Sequence, residues 1–136
     1  MYRNILVPIV PDHQGKGAHA VQVARLLADK DATITLLHVM EAIPGYAETY
    51  IPKEVRDRNR KEAEADLKAL ATEAGAQART VVLGGHAGRA IVDYAHEQSV
   101  DCIVLASHKP ELEDYFLGST AARVVRHAEC SVHVIR

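Results

Sequence analysis

Apolar residues fall into short continuous runs that alternate with longer amphipathic stretches along this chain. Continuous runs predict strands buried on both faces, whereas apolar residues spaced three and four apart predict helices. The predicted strands are residues 5–10, 32–39, 79–83, 101–106 and 132–135. The predicted helices are residues 18–28, 53–74, 86–98 and 118–128.

This alternation of strands and helices determines the expected fold class. Strands separated by helical segments need crossover connections, which favour a parallel sheet. We therefore expect an α/β fold with one domain over residues 1–136: an open, Rossmann-like, parallel five-stranded sheet with helices on both faces. The last strand, Val-His-Val-Ile at residues 132–135, is predicted to be an edge strand.

Composition supports this fold and excludes one class of function. Only 4% of the residues are aromatic and none is Trp, so the core must be built from aliphatic side chains, as in buried parallel sheets. The net charge of −2 lacks the basic excess that binding to a nucleic-acid backbone requires. We expect no nucleic-acid partner.

The cysteines and the hydropathy profile bear on location. Cys102 and Cys130 show no CxxC spacing, so neither a disulfide scaffold nor a zinc site is expected. No apolar stretch approaches the length of a membrane span, and Pro8 interrupts the first apolar run. These features predict a cytoplasmic protein that does not contact a membrane.

Loops after the first and fourth strands are the expected ligand site, because open α/β sheets bind ligands where strand order reverses. The second loop leads into Gly118, Ser119 and Thr120 at a helix start, where free N–H groups favour phosphate. The same three residues also suit an ordinary helix cap. His108 and Lys109 favour the phosphate hypothesis, since a lysine supplies positive charge.

Other candidate residues have simpler structural interpretations. His38 lies within an apolar strand and is expected to be a hydrogen-bonded core residue. The glycine-rich stretch at residues 84–88 lacks the Lys-Ser/Thr end of a P-loop, so a strand-to-helix turn with its cap is favoured. No histidine has metal-ligand spacing with cysteine or carboxylate residues, and no metal ligand is predicted.

Several segments together resemble the universal stress protein family. They are NILVP at residues 4–8, LLHV at 36–39, ASHKP at 106–110, GST at 118–120 and VVRHAECSVHV at 124–134. The resemblance covers nearly the whole chain, is most specific from residue 105 onward, and is greatest to small single-domain bacterial members.

The resemblance implies an adenine nucleotide α hydrolase-like fold that binds ATP or AMP, and it leaves open whether Mg²⁺ accompanies the ligand. It places adenine against Pro8, Ile9 and Val39, and the phosphates on Gly118, Ser119 and Thr120. The other implied contacts lie at two strand ends. Those at or just after the end of the first strand are Val10 and Asp12, and those at or just after the end of the fourth strand are Leu105, Ala106, Ser107, His108 and Lys109.

Two departures from the family pattern affect this site. Ala106 and Lys109 match the first two glycines of the family's nucleotide loop, and the spacer before Gly118 is one residue shorter. Val10 occupies a position where the family often has Asp facing the ribose, and Asp12 is the nearest replacement. Lys109 offers a charged contact in place of a close backbone approach.

Three functions follow as hypotheses. The first is a nucleotide-binding regulator of the stress response without efficient catalysis, since the chain shows no catalytic constellation. Slow ATP hydrolysis or self-phosphorylation stays open, with Ser119 or Thr120 as the nearest hydroxyl. The second is an interaction module that binds no nucleotide, and the third an enzyme of the related hydrolase class. A homodimer formed through residues 132–135 is expected, because an open edge strand invites pairing with a second copy.

Overall fold

A computed structural model describes residues 1–10, 16–41, 51–73, 77–106 and 117–136. The strands in these ranges are β1 (Tyr2–Pro8), β2 (Ala28–Glu41), β3 (Ala78–Gly85), β4 (Cys102–Ala106) and β5 (Ser131–Ile135). The helices are α1 (Lys16–Leu27), α2 (Lys53–Glu73), α3 (Ala87–Glu97) and α4 (Ser119–His127).

The strands form one parallel five-stranded sheet in the order β3-β2-β1-β4-β5. Ile5 of β1 pairs with Ile34 on one side and with Cys102 on the other, so β1 is central. The chain builds outward from β1 through β2 to β3 and then returns to the opposite side as β4 and β5. The predicted fold class is confirmed, and the strand order reverses between β1 and β4.

Alternation along β1 separates two hydrophobic cores. Ile5 and Val7 are fully buried on the face covered by α1 and α2. Leu6, also fully buried, points to the face covered by α3 and α4. Because successive side chains of a strand point to opposite faces, one apolar run supplies both cores. This explains why the strands are continuous in hydrophobicity.

The charged helix α2 contacts the sheet along a narrow stripe. Ala63, Leu67 and Ala71 are its buried residues, and their spacing of four places them on one face. Arg60 also reaches the sheet, where its guanidinium donates to the carbonyl oxygen of Val82 at 3.0 Å. A thin apolar stripe is therefore sufficient to attach a helix that is otherwise rich in charge.

Several predicted boundaries are wrong for reasons that involve distant partners. The predicted start of the second strand at residue 32 is late, because Ala28 already pairs with Tyr2. Residue 101 does not belong to β4: the Asp101 carboxylate accepts from the backbone N–H groups of Arg3 and Asn4 at 2.9 and 3.0 Å. Residues 9 and 10 lie beyond the end of β1.

The remaining differences shift element ends by one or two residues. Residue 28 lies in β2 rather than in the first helix, and residues 86, 98, 118 and 128 are caps of α3 and α4 rather than members of them. Shifts of this size are common at frayed element ends. Within the part of the chain that the structure describes, no helix is both long and apolar enough to cross a membrane.

Candidate functional site

A cavity of about 470 Å³ opens at the carboxyl ends of the strands, over the point where strand order reverses. Its volume lies within the range typical of small-molecule sites. Pro8 ends β1, Ala106 ends β4, and both line the cavity. The cavity therefore lies at the ends of the first and fourth strands, where the sequence predicted a ligand site. The described lining residues are Pro8, Ile9, Val10, Leu37, His38, Val39, Met40, Glu41, Asn59, Ala87, Ile91, Leu105, Ala106, Thr120 and Ala121.

Most of the candidate residues that the structure describes line this cavity. They are Pro8, Ile9, Val10, Val39, Leu105, Ala106 and Thr120. Gly118 and Ser119 do not line it but immediately precede Thr120 at the start of α4. Asp12, Ser107, His108 and Lys109 lie outside the described residues. The structure therefore brings together residues that are far apart in sequence.

Ile9 is held in the cavity wall by two hydrogen bonds to β2. Its N–H donates to the carbonyl oxygen of Leu37 at 2.7 Å, and its own carbonyl oxygen lies 3.0 Å from Nδ1 of His38. The expectation that His38 is hydrogen-bonded is confirmed. Its assignment to the core is wrong, because His38 is half-buried and lines the cavity.

The start of α4 forms another part of the site. Gly118 is the N-cap residue, its φ is −57°, and within the described residues no side chain caps this end. A Cβ atom added to Gly118 would find no described atom within 4 Å. The first N–H groups of a helix have no intrahelical partner and carry the positive end of the helix dipole. This end of α4 suits an anion.

Several lining residues were not predicted from the sequence. Glu41 and Asn59 are exposed side chains at the end of β2 and on α2, and Ile91 is a buried residue of α3. Asn59 lies among charged residues that read as a solvated helix face, so no local signal singles it out. Only the packing of α2 against the sheet places it at the cavity.

The structure describes one residue of each family departure, Val10 and Ala106. Val10 lines the cavity with 75% of its surface exposed. Ala106 is half-buried and also lines the cavity, so its methyl group occupies space that a glycine would leave open. Both substitutions make the wall more apolar than the family pattern implies.

The chemical character of the cavity favours binding. The floor of the cavity is aliphatic, and the polar side chains that line it in the described ranges are His38, Glu41, Asn59 and Thr120. No group of three or more His, Cys, Asp or Glu residues that could hold a metal ion occurs within those ranges. Such a wall can enclose an apolar ring while hydrogen-bonding to its edges.

The other candidate segments have structural roles. The turn interpretation of residues 84–88 is confirmed: β3 ends at Gly85, whose φ is +128°, His86 is the N-cap and α3 begins at Ala87. Cys102 and Cys130 are free thiols that pack on opposite faces of the sheet. Burial raises the pKa of both thiols, that of Cys102 to about 11.

Comparison with known proteins identifies the family. The universal stress protein family is matched over residues 1–136. The chain belongs to this family. Universal stress protein G of Salmonella typhimurium is 30% identical over 145 residues, and the match covers 100% of each chain. The resemblance recognised in the sequence is thereby confirmed.

Solved structures of universal stress proteins share the fold. UspA from Lactobacillus plantarum matches with a TM-score of 0.77 and 28% identity, covering 99% of this chain and 98% of that one. The Archaeoglobus fulgidus protein, solved in complex with dAMP, matches with a TM-score of 0.70 and 20% identity, covering 99% and 98%. At 20% identity the second match shows the fold alone.

Proposed function

We propose that this universal stress protein is a cytoplasmic regulator that binds an adenine nucleotide, ATP or AMP, and responds to stress without efficient catalysis. The observation that carries the proposal is the cavity between the ends of β1 and β4, where the strand order reverses. Its floor is aliphatic, and the start of α4 lies beside it. The dAMP complex of the Archaeoglobus fulgidus protein supports it by analogy. The free thiols fit a reducing compartment.

The apolar part of the cavity suits the adenine ring. Ile9, Val39 and Leu105 are buried side chains that meet there from three different strand ends. Pro8 adds a rigid wall at the end of β1. Burying a flat aromatic ring among aliphatic groups contributes through the removal of apolar surface from water. Base binding at this end leaves the ribose and phosphates to extend toward α4.

The phosphates would bind at the start of α4. The described residues leave room for a phosphate to approach the backbone at Gly118, and Thr120, two residues further on, lines the cavity. An anion at this position gains from the helix dipole and from backbone N–H donors. Where the ligand is ATP, Mg²⁺ would arrive on its phosphates.

Isothermal titration with AMP and with ATP in magnesium, using a Gly118→Val variant, tests the proposal. Gly84→Val is the matched control: a Cβ atom added to Gly84 would also find no described atom within 4 Å, and Gly84 does not line the cavity. We expect Gly118→Val to weaken binding at least about tenfold through steric exclusion of the phosphate, and Gly84→Val to bind as the wild type does.

Absence of saturable binding to either nucleotide by the wild type would refute the proposal. It would favour the second candidate, an interaction module of the same fold, for which the exposed apolar side chain of Val10 is the supporting observation. Equal weakening by Gly118→Val and Gly84→Val would instead indicate a general loss of structure. Circular dichroism of both variants separates this case from a local effect.

We further propose that the protein is a homodimer formed through β5. This strand is at one edge of the sheet, and its five residues are centred on His133, which is exposed. Pairing with full overlap about a two-fold axis would place His133 opposite its own copy. Cross-strand neighbours have Cβ atoms about 5 Å apart, so like charges at this position would repel.

The test of the dimer is light scattering of His133→Asp beside His133→Thr. Two opposed carboxylates cost about 1 kcal/mol in a water-like environment, or about fivefold in the dimer dissociation constant. Thr adds no charge and suits a strand, so it should leave the dimer unchanged. A wild-type monomer at micromolar concentration, or an Asp variant that dimerises as the wild type does, would contradict this arrangement.

A further inference from the structure

The wall of the cavity contains an imidazole whose hydrogen-bonding role is set by its neighbours. His38 lies in β2, is half-buried and lines the cavity. Its Nδ1 is 3.0 Å from the carbonyl oxygen of Ile9. Because a carbonyl oxygen can only accept, Nδ1 must carry the proton of this hydrogen bond. In the neutral ring Nε2 is then unprotonated and is an acceptor.

The environment of Ile9 keeps the ring in this state. Ile9 is 6% exposed, and its N–H already donates to the carbonyl oxygen of Leu37. If the proton moved from Nδ1 to Nε2, the buried carbonyl oxygen of Ile9 would face an unprotonated nitrogen. An unpaired buried polar group is unfavourable, so the fold selects the Nδ1–H tautomer. Within the part of the chain that the structure describes, Nε2 is the ring nitrogen left for a ligand.

We propose that His38 determines which purine the nucleotide site accepts: Nε2 accepts a hydrogen bond from the exocyclic amine of a 6-aminopurine and opposes the carbonyl oxygen of a 6-oxopurine. The proposal rests on the nucleotide-binding function proposed above and assigns base selectivity to one side chain. Ile9 and Val39, which also line the cavity, offer aliphatic side chains that contact either base equally.

Two other polar side chains that line the cavity provide the comparison. Glu41 is exposed at the end of β2, and its ionised carboxylate is also an acceptor. Asn59, exposed on α2, carries both a donor and an acceptor and so matches either purine. His38 differs from both because it is half-buried and its orientation is fixed by Ile9.

The test titrates three ligands, AMP, purine riboside 5′-monophosphate and IMP, into the wild type, His38→Asn and Glu41→Gln. The Asn side chain places an N–H donor near the position of Nδ1, so the bond to Ile9 is kept while no atom replaces Nε2. We expect the wild type to bind AMP about tenfold more tightly than IMP, with purine riboside monophosphate between them. His38→Asn should bind all three within about twofold, and Glu41→Gln should keep the wild-type order.

Three outcomes would overturn the proposal. They are an unchanged ratio of AMP to IMP affinity in His38→Asn, a wild type that does not discriminate, and a loss of discrimination in Glu41→Gln instead. A wild type that binds none of the three ligands would refute the proposed function itself, which is a distinguishable result.

A second measurement on the wild type stands even where the Asn variant fails to fold. Nitrogen-15 spectra of the His38 ring should show Nδ1 protonated and Nε2 unprotonated in the neutral ring. AMP should move the Nε2 resonance in the direction of an accepted hydrogen bond, and purine riboside monophosphate, which lacks the amine, should not. A neutral ring protonated at Nε2, or equal shifts with both ligands, would contradict the proposal.

Discussion

Replacing Gly88 with alanine should push apart the two helices that border the cavity. Gly88 is a buried residue in the first turn of α3 and faces Arg123 of α4. An added Cβ atom would lie 2.8 Å from Cδ, 3.2 Å from Cβ and 3.4 Å from Cγ of Arg123. The end of the Arg123 side chain can rotate away, but its Cβ is fixed to the helix backbone. The helices must therefore separate by a few tenths of an ångström.

Two opposing effects set the size of the change. Inserting a methyl group into a packed contact costs about 1–3 kcal/mol. Alanine in a helix is favoured over glycine by roughly 0.5–1 kcal/mol. The difference leaves a net loss of about 1 kcal/mol in the free energy of unfolding. AMP binding should weaken as well, because Ala87 and Thr120 on the two helices both line the cavity.

Urea denaturation followed by circular dichroism measures this loss, and a double-mutant cycle assigns its cause. Arg123→Gly removes Cβ, Cγ and Cδ, the three atoms that the added Cβ atom would contact. In that background Gly88→Ala should raise the free energy of unfolding by roughly 0.5–1 kcal/mol, because only the helix preference for alanine remains. Against a loss of about 1 kcal/mol in the wild-type background, this corresponds to a coupling of about 2 kcal/mol. Equal destabilisation in both backgrounds would refute the packing argument and would point to the backbone of α3 instead.

The remaining predictions concern the cavity rim, a helix end and a buried thiol. Val10→Asp should raise AMP affinity about fivefold, because a carboxylate at this exposed rim position can accept from a ribose hydroxyl; unchanged titration would contradict a ribose at this position. Ser99→Gly should raise the free energy of unfolding in urea by roughly 0.5–1 kcal/mol, since φ at Ser99 is +55° and glycine adopts this value without strain. A lower free energy of unfolding in Ser99→Gly would contradict strain at this residue. Burial, with smaller effects of Cys130 and Asp101, raises the pKa of Cys102 from 9.0 to about 11. Because the thiol ionises at lower pH in the unfolded state than in the folded state, the free energy of unfolding should fall as pH rises between these two values. Urea midpoints from pH 8 to about 10.5 should fall less steeply in Cys102→Ala, and equal slopes would refute the assignment.

The aliphatic runs and the glycine-bounded helices made the α/β class and the location of the cavity predictable. Ligands of open α/β sheets bind where the strand order reverses, which in this fold is between β1 and β4. The loops after the first and fourth strands were therefore recognisable as the site without coordinates. Asn59 shows the limit of this reasoning. Its neighbours in sequence are charged and solvated, and only the docking of α2 on the sheet brings it to the cavity.

His38 shows the same limit for a side chain's role. An isolated histidine in an apolar strand reads as a core residue, because hydrophobicity is a property of the local sequence. Its position at the end of β2 and its bond to Ile9 depend on residues 29 positions apart. Register and cap positions were likewise set by contacts such as Asp101 with Arg3.

Local patterning by itself therefore determined the type and order of the elements, the aliphatic core and the family, since each depends on residues close together along the chain. The tertiary structure decided which side chains line the cavity, which group lies within hydrogen-bond distance of Nδ1 of His38 and where each element ends. These features depend on hydrogen bonds and packing between distant segments, whose energies do not appear in any one stretch of sequence.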